Sequence, residues 1–110
     1  MKIKETFYEW IVEPIDEHED IIDPLHHDTF ACALDTKELG YDGSIRIDIA
    51  LRQRVYRYED LDEQYYNYLE KVNGLWTMPK EFHNDCGYPT NIKVPKRFFK
   101  ELDIINNRSK

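Results

Sequence analysis

Histidines and aspartates are concentrated in one short stretch, residues 18–30, with the sequence HEDIIDPLHHDTF. A zinc site needs three or four ligands, usually Cys or His at paired short spacings. His26 and His27 are adjacent, so they point to opposite faces of a strand or lie about 100° apart on a helix, and are poorly placed to share an ion. The stretch also lacks the glycine at which a calcium-binding EF-hand loop turns. We therefore predict a polar loop without a metal ion.

A second arrangement of reactive side chains involves the two cysteines. His83 and Cys86 are spaced i, i+3, and together with Cys32 and either His26 or His27 they would make four zinc ligands. Cys86 with Asp85 and either His83 or His26 would equally supply a nucleophile, an orienting group and a base. The chain has no CxxC or HxxxH pair, no nucleophile elbow and no glycine-rich phosphate or dinucleotide motif. We therefore interpret both cysteines as reduced thiols, and we predict no cofactor.

Charge is distributed unevenly along the chain. Residues 5–28 contain nine acidic side chains and no Lys or Arg, whereas residues 71–110 contain eight basic and four acidic side chains. A net charge of −7 opposes binding to a phosphate polymer, so direct nucleic-acid binding is not expected. The acidic stretch instead favours a protein partner with a basic site. Its candidate contact residues are Asp16, Glu17, Glu19, Asp20 and Asp23.

Tyrosines form a second candidate contact feature in the middle of the chain. Residues 56–68 contain five tyrosines. Because side chains alternate along a strand, these five cannot all lie on one face of a small sheet, and some must face outward. Exposed Tyr and Arg are enriched in the energetically important parts of protein interfaces. We predict Tyr56, Tyr58 and Tyr65 as aromatic anchors of a contact surface.

The elements that position these residues follow from hydrophobic periodicity. Residues 6–13 alternate between faces, which predicts a half-buried strand that ends at Pro14. Residues 28–40, DTFACALDTKELG, are typical of a helix, with either of the first two residues as its N-cap and Gly40 at its end. Residues 44–58 alternate aliphatic with mainly charged side chains, which predicts a long strand with one face in the core and one in water.

The second half of the chain carries shorter patterns. Residues 58–64, YEDLDEQ, indicate an acidic connection, and Asn73-Gly74 suits the two central positions of a type I′ hairpin turn. The segment HNDCGYPTN, residues 83–91, is interpreted as a loop. Residues 94–105 are typical of a short helix with a proline in its first turn.

These elements predict an α+β fold, with an antiparallel sheet of about four strands and one or two helices packed on one face. We expect residues 1–105 to form one domain and residues 106–110 a flexible tail. No window approaches the length of a membrane span, and no apolar stretch suited to a signal peptide follows the basic start. The expected location is therefore the cytoplasm.

Several segments resemble a family of small uncharacterised proteins encoded by tailed bacteriophages and other mobile elements. They are YEWIVEPIDEHEDIID, an early HDT, IRIDIALRQRV, YNYLE with GLW and MPKEF, and KVPKRFFKEL, in this order. The resemblance covers most of the chain and implies an accessory protein that acts inside a bacterial host. The family has no established activity, so it supplies no functional residues.

The sequence therefore favours a small acidic binding protein, not an enzyme, that modulates or inhibits a host protein such as a defence nuclease. The acidic stretch and the outward tyrosines would form its contact surface. Two alternatives remain open. The chain would otherwise be a homo-oligomeric structural or assembly factor whose exposed sheet pairs with its copy in a homodimer, or a small metal- or thiol-dependent enzyme.

Overall fold

The computed structural model describes residues 5–57, 60–84 and 86–108. These residues form eight strands and two helices. In chain order they are β1 (Glu5–Ile15), β2 (Leu25–His27), α1 (Phe30–Leu39), β3 (Arg46–Arg57), β4 (Asp60–Tyr68), β5 (Glu70–Val72), β6 (Leu75–Thr77), β7 (Glu81–His83), β8 (Pro89–Lys93) and α2 (Lys96–Arg108).

The largest sheet has four strands in the order β2-β1-β3-β4, and all neighbouring strands are antiparallel. In its centre Trp10 lies opposite Leu51, and Val12 lies opposite Ile49. Two short hairpins, β5–β6 and β7–β8, accompany this sheet. The predicted α+β class and the antiparallel sheet of about four strands are confirmed.

The hydrophobic core lies between this sheet and the two helices. Trp10 is fully buried, and its ring centroid lies 5.1 Å from that of Phe30 on α1 and 5.7 Å from that of Phe98 on α2. The predicted cap of α1 is confirmed, because the Thr29 hydroxyl accepts a hydrogen bond from the backbone N–H of Cys32. The core residues from the helices are Phe30 and Ala33 of α1 and Phe98, Leu102 and Ile105 of α2.

Polar side chains join the elements where backbone pairing ends. Glu101 on α2 accepts from the Trp10 indole N–H at 3.3 Å and from the backbone N–H of Phe30 at 2.9 Å. Asn106 accepts from the backbone N–H of Trp76 and donates to the carbonyl of the same residue, at 2.9 and 3.0 Å. These bonds fix α2 against β1, the start of α1 and the β5–β6 hairpin.

The prediction that Pro14 ends the first strand is wrong. β1 continues to Ile15, and Pro14 lies opposite Ile47 of β3. The Pro14 carbonyl accepts from the N–H of Ile22 at 2.8 Å. Since the N and C=O of one strand residue point to the same side, the missing N–H of Pro14 faces away from β3 and interrupts none of its bonds.

The acidic connection predicted for residues 58–64 is also wrong over most of its length. β4 begins at Asp60 and pairs with β3 through to Tyr68, so the acidic composition did not prevent strand formation. The Asn73-Gly74 turn is confirmed, since these residues have φ of 53° and 82° between β5 and β6.

Two further boundaries differ from the sequence interpretation. The predicted loop at residues 83–91 contains the end of β7 at His83 and the start of β8 at Pro89. α2 continues to Arg108, and so includes the first residues of the segment predicted as a tail, residues 106–110. Strands of three to five residues are too short to show a clear periodicity.

Candidate functional site: a groove on the outer face of the sheet

The face of the sheet turned away from the helices is not the solvated surface that alternation predicted. Ile11 and Ala50 lie opposite each other on this outer face and are 1% and 0% exposed. Their neighbours on it are charged and aromatic side chains from three strands. These are Glu9 and Glu13 on β1, Arg52 and Arg54 on β3, and Tyr66 and Tyr68 on β4.

A buried carboxylate, that of Glu13, lies in the middle of this face and is 5% exposed. The Tyr66 hydroxyl donates to its Oε2, and the Tyr68 hydroxyl donates to its Oε1 at 2.8 Å. Burial raises the pKa of both phenols, and their bonds to Glu13 raise it further, so both remain protonated donors at neutral pH. Among the described residues, no Lys, Arg or His nitrogen lies within 4.0 Å of the Glu13 carboxylate.

A second carboxylate on the same face, Glu9, is by contrast surrounded by cations. Arg52 and Arg54 donate to its Oε2 at 3.1 and 3.3 Å, and the Nδ1 atom of His26 lies 3.0 Å from its Oε1. Burial raises the pKa of Glu9, but the bonds from His26 and Arg52 and the neighbouring positive charges outweigh burial, and the pKa lies below its usual value.

A groove of about 530 Å³ opens over Glu13, and we call it the outer groove. Its floor consists of side chains from β1, β3 and β4, and its sides come from the β1–β2 loop and from residues around β7. The lining residues are Glu13, Ile21, Arg52, Tyr66, Asn67, Tyr68, Pro79, His83, Asn84 and Gly87.

Asn67 holds one side of the outer groove in place. It is 2% exposed, its Nδ2 donates to the Glu81 carbonyl at 3.1 Å, and its Oδ1 accepts from the backbone N–H of His83 at 3.1 Å. The ring Nδ1 of His83 lies 3.2 Å from the same Asn67 oxygen. The amide thus attaches β7 to the end of β4.

Residues 16–24, which we call the acidic loop, contain all five predicted acidic contact residues, and three of these are engaged within the protein. Asp16 accepts from the backbone N–H groups of His18 and Asp20 at 2.8 and 3.0 Å. Glu19 accepts two bonds from Arg46, at 2.7 and 3.0 Å.

The remaining members of the predicted acidic set differ in their surroundings. Asp23 accepts from the hydroxyl of Tyr41, which belongs to the loop after α1. Glu17 and Asp20 are exposed, and the one ion pair of Glu17 with another described residue is with the exposed His18 ring, at 3.6 Å. Within the described residues, Glu17 and Asp20 are therefore the two of the five whose carboxylates are presented to solvent without a bond that holds the fold together.

The three predicted aromatic anchors are not placed by the structure. Tyr58 lies outside the described residues, and the side chains of Tyr56 and Tyr65 also lie outside the described part, although the backbone of Tyr65 is opposite Gln53. The tyrosines that the structure places on the outer face are Tyr66 and Tyr68. The feature of the sequence that could have identified them is their alternation with Asn67.

His26 and His27 point to opposite sides of the sheet, as their adjacency in a strand predicted. His26 bonds to Glu9 on the outer face, whereas the Nε2 atom of His27 lies 2.9 Å from the Thr36 hydroxyl on α1. The pair is therefore divided between the two faces.

The four-ligand arrangement allowed by the sequence is not formed. Cys32 is exposed on α1, Cys86 is exposed between β7 and β8, and the Nδ1 atom of His83 faces Asn67. Within the described residues, no three His, Cys, Asp or Glu side chains are positioned to hold a metal ion.

Comparison of the chain with models of protein families, with curated proteins and with solved structures found no match. In the described parts of the chain, neither helix has the length and apolar character that crossing a membrane requires.

Proposed function

We propose that this chain is a binding protein that recognises a protein partner through the outer groove and the adjoining acidic loop. The observation that carries this proposal is that the two features are continuous, because Ile21 of the acidic loop lines the same groove as Tyr66 and Tyr68. Ile21 and Tyr68 are 49% and 47% exposed, so an apolar and an aromatic side chain are available at the groove. Tyrosine and arginine, both present here, are enriched among residues that dominate binding energy.

Charge supports a partner with a basic site. Glu17 and Asp20 extend from the acidic loop, and Asp42 from the loop after α1 is also exposed. The bond between Tyr41 and Asp23 brings these two loops together, so acidic residues that are distant in sequence lie at the same end of the sheet. Such a surface accelerates association with a positively charged protein.

The resemblance to proteins of bacteriophages and mobile elements supports a partner from a bacterial host. We propose that binding modulates or inhibits this host protein, and a defence nuclease is one class of protein with the required basic site. The acidic surface would then occupy the site that the partner uses for its own anionic ligand.

A pair of matched substitutions tests the proposed surface. Ile21→Lys places a positive charge at the outer groove, whereas Ile104→Lys makes the same change at a residue of α2 that is 56% exposed, on the helix layer behind the sheet. The tagged chain and both variants are used to capture partners from a bacterial host lysate. We expect a protein that is retained by the unsubstituted chain and by Ile104→Lys and is lost with Ile21→Lys. Equal retention by both variants would contradict the proposal.

The contribution of charge is tested separately with Glu17→Gln and Asp20→Asn, because these two carboxylates have no internal structural role. Their combined neutralisation is expected to weaken capture and to flatten its dependence on salt. Sedimentation of the purified chain addresses the homo-oligomer alternative. A stable dimer that dissociates in Ile21→Lys would favour that alternative over a host partner.

A further inference from the structure

We infer that the outer groove receives a basic side chain, lysine or arginine, of the protein partner, with its charged end at Glu13. This inference rests on the proposed function and specifies the chemistry by which the groove recognises its partner.

The first argument is the unusual state of the Glu13 carboxylate. It is 5% exposed and accepts hydrogen bonds from Tyr66 and Tyr68, but within the described residues no cation lies within 4.0 Å of it. Carboxylates that are this deeply buried are normally paired with a cation. An ionised carboxylate has about four acceptor positions, and the two hydroxyls use two of them, so two remain for donors from outside.

The second argument is the balance of charge around Glu13. Asp48 lies directly opposite it on β3, which places two acidic residues side by side on the outer face. The nearest pairing for Asp48 is Arg46 at 3.3 Å, and Arg46 is shared with Glu19. Two carboxylates therefore share one arginine beside Glu13, which itself has no cation within 4.0 Å among the described residues, and an additional positive charge would be attracted.

The neighbouring arginine of the groove does not supply this charge to Glu13. Arg52 donates to Glu9 at 3.1 Å, and its Cζ atom lies 5.7 Å from the centre of the Tyr66 ring. Arg52 is thus directed to a different carboxylate on the same face, that of Glu9, which it shares with Arg54.

The third argument is the match between the groove lining and a long basic side chain. Lysine and arginine have an aliphatic stem that packs on apolar surface and a cationic end that is attracted to aromatic rings. Ile21 and Pro79 supply apolar surface, and the half-exposed Tyr68 supplies a ring whose hydroxyl already bonds to Glu13. A negatively charged ligand in the groove would be opposed by the Glu13 carboxylate, and Asp48, opposite Glu13 on β3, would add to this repulsion.

The inference is tested by titrating the whole chain with small probes and following its amide NMR spectrum. The charged probes are Nα-acetyl-arginine amide and Nα-acetyl-lysine amide, and the neutral control probe is Nα-acetyl-citrulline amide, which has nearly the shape of the arginine probe. We expect saturable shifts at the groove residues with at least one charged probe. The citrulline probe is expected to bind about tenfold more weakly or worse.

Two variants with the same change in net charge locate the effect. Glu13→Gln keeps the size of the side chain and is expected to weaken the charged probe about tenfold or more, whereas Asp103→Asn, at an exposed residue of α2 behind the sheet, should leave its affinity within about twofold. Retention of the dispersed amide spectrum shows that each variant is folded. If Glu13→Gln does not fold, Asp48→Asn takes its place, and it is expected to weaken the charged probe about threefold.

Three results would overturn the inference: equal affinity for the citrulline probe, equal weakening by Glu13→Gln and Asp103→Asn, or no saturable binding of either charged probe. Failure of this inference can be distinguished from failure of the proposed function by combining the variants with the capture experiment. If Ile21→Lys abolishes capture but Glu13→Gln captures the partner as well as the unsubstituted chain does, the proposed function stands and the basic side chain at Glu13 is excluded. If both variants and Ile104→Lys capture equally, the proposed function itself fails.

Discussion

Replacement of Asn67 by alanine is expected to lower the free energy of unfolding by about 2–4 kcal/mol. Asn67 is 2% exposed, and its amide satisfies the carbonyl of Glu81 and the backbone N–H of His83. Truncation leaves both backbone groups without their protein partner, and each unsatisfied buried group costs about 1–3 kcal/mol. Because Glu81 is exposed and His83 is partly exposed, water can reach part of this region, and we expect the lower half of the summed range.

The assay is urea unfolding followed by far-ultraviolet circular dichroism. With a slope of about 2 kcal/mol per molar urea, the midpoint should fall by about 1–2 M. Asn106→Ala is the matched control, because Asn106 also makes two bonds to backbone, with Trp76, but lies in a half-buried position. We expect it to cost about 1–2 kcal/mol. A loss of under about 1 kcal/mol for Asn67→Ala, or a loss smaller than that for Asn106→Ala, would refute the role assigned to Asn67.

Three further predictions concern single side chains. Because the pKa of Tyr66 is raised, its phenol should remain protonated above about pH 10, and its contribution to stability is lost only as the pH rises beyond that value. In an ultraviolet titration, Tyr66→Phe should therefore remove one phenol that titrates late. An unchanged late phase of the titration would contradict this prediction. The pKa of Glu9 is lowered, so the contribution of Glu9 to stability is present above about pH 4.5 and is lost as the pH falls. The midpoint temperature of thermal unfolding should therefore depend less steeply on pH below about pH 4.5 in Glu9→Gln than in the unsubstituted chain. Parallel plots of midpoint temperature against pH would contradict a stabilising role of the ion pairs that Glu9 makes. Gly74 has φ of 82°, a left-handed conformation that is unfavourable for alanine. Gly74→Ala should therefore lower the free energy of unfolding, measured in urea, by about 1 kcal/mol. An unchanged free energy of unfolding would show that the turn relaxes without strain.

The elements with long, regular patterns could be predicted from the sequence. The alternation around Trp10 identified β1, Thr29 and Gly40 marked the ends of α1, and the alternation from Ile47 to Leu51 identified β3. In each case local propensity and burial agree, which is the condition under which periodicity is informative.

The misassigned elements are those in which long-range pairing overrides local composition. The acidic residues before Tyr65 do not resemble a strand, but β4 forms because β3 provides a partner along its length. β7 is short, and it is held by Asn67, which lies 14 and 16 residues away in sequence from its two backbone partners. No local pattern contains this information.

The arrangement of the candidate site could be predicted only in part, because it also depends on pairing between residues that are distant in sequence. The acidic loop was singled out by its composition, and its role in binding stays a prediction. The pairing of Glu19 with Arg46 spans 27 residues and depends on the packing of two loops. The convergence of Tyr66 and Tyr68 on Glu13 depends on the registers of β1 with β3 and of β3 with β4, including the irregularity after Gln53. A sequence shows the alternation of these side chains but not which strand lies beside which.

The most direct test of the proposed binding surface is amide hydrogen exchange of the chain measured with and without the captured partner. The account predicts that protection on binding is concentrated in the acidic loop, residues 16–24, and in the neighbouring end of β4, while α2 exchanges at an unchanged rate. Protection confined to α2 or to the β5–β6 hairpin, with the acidic loop unchanged, would contradict it.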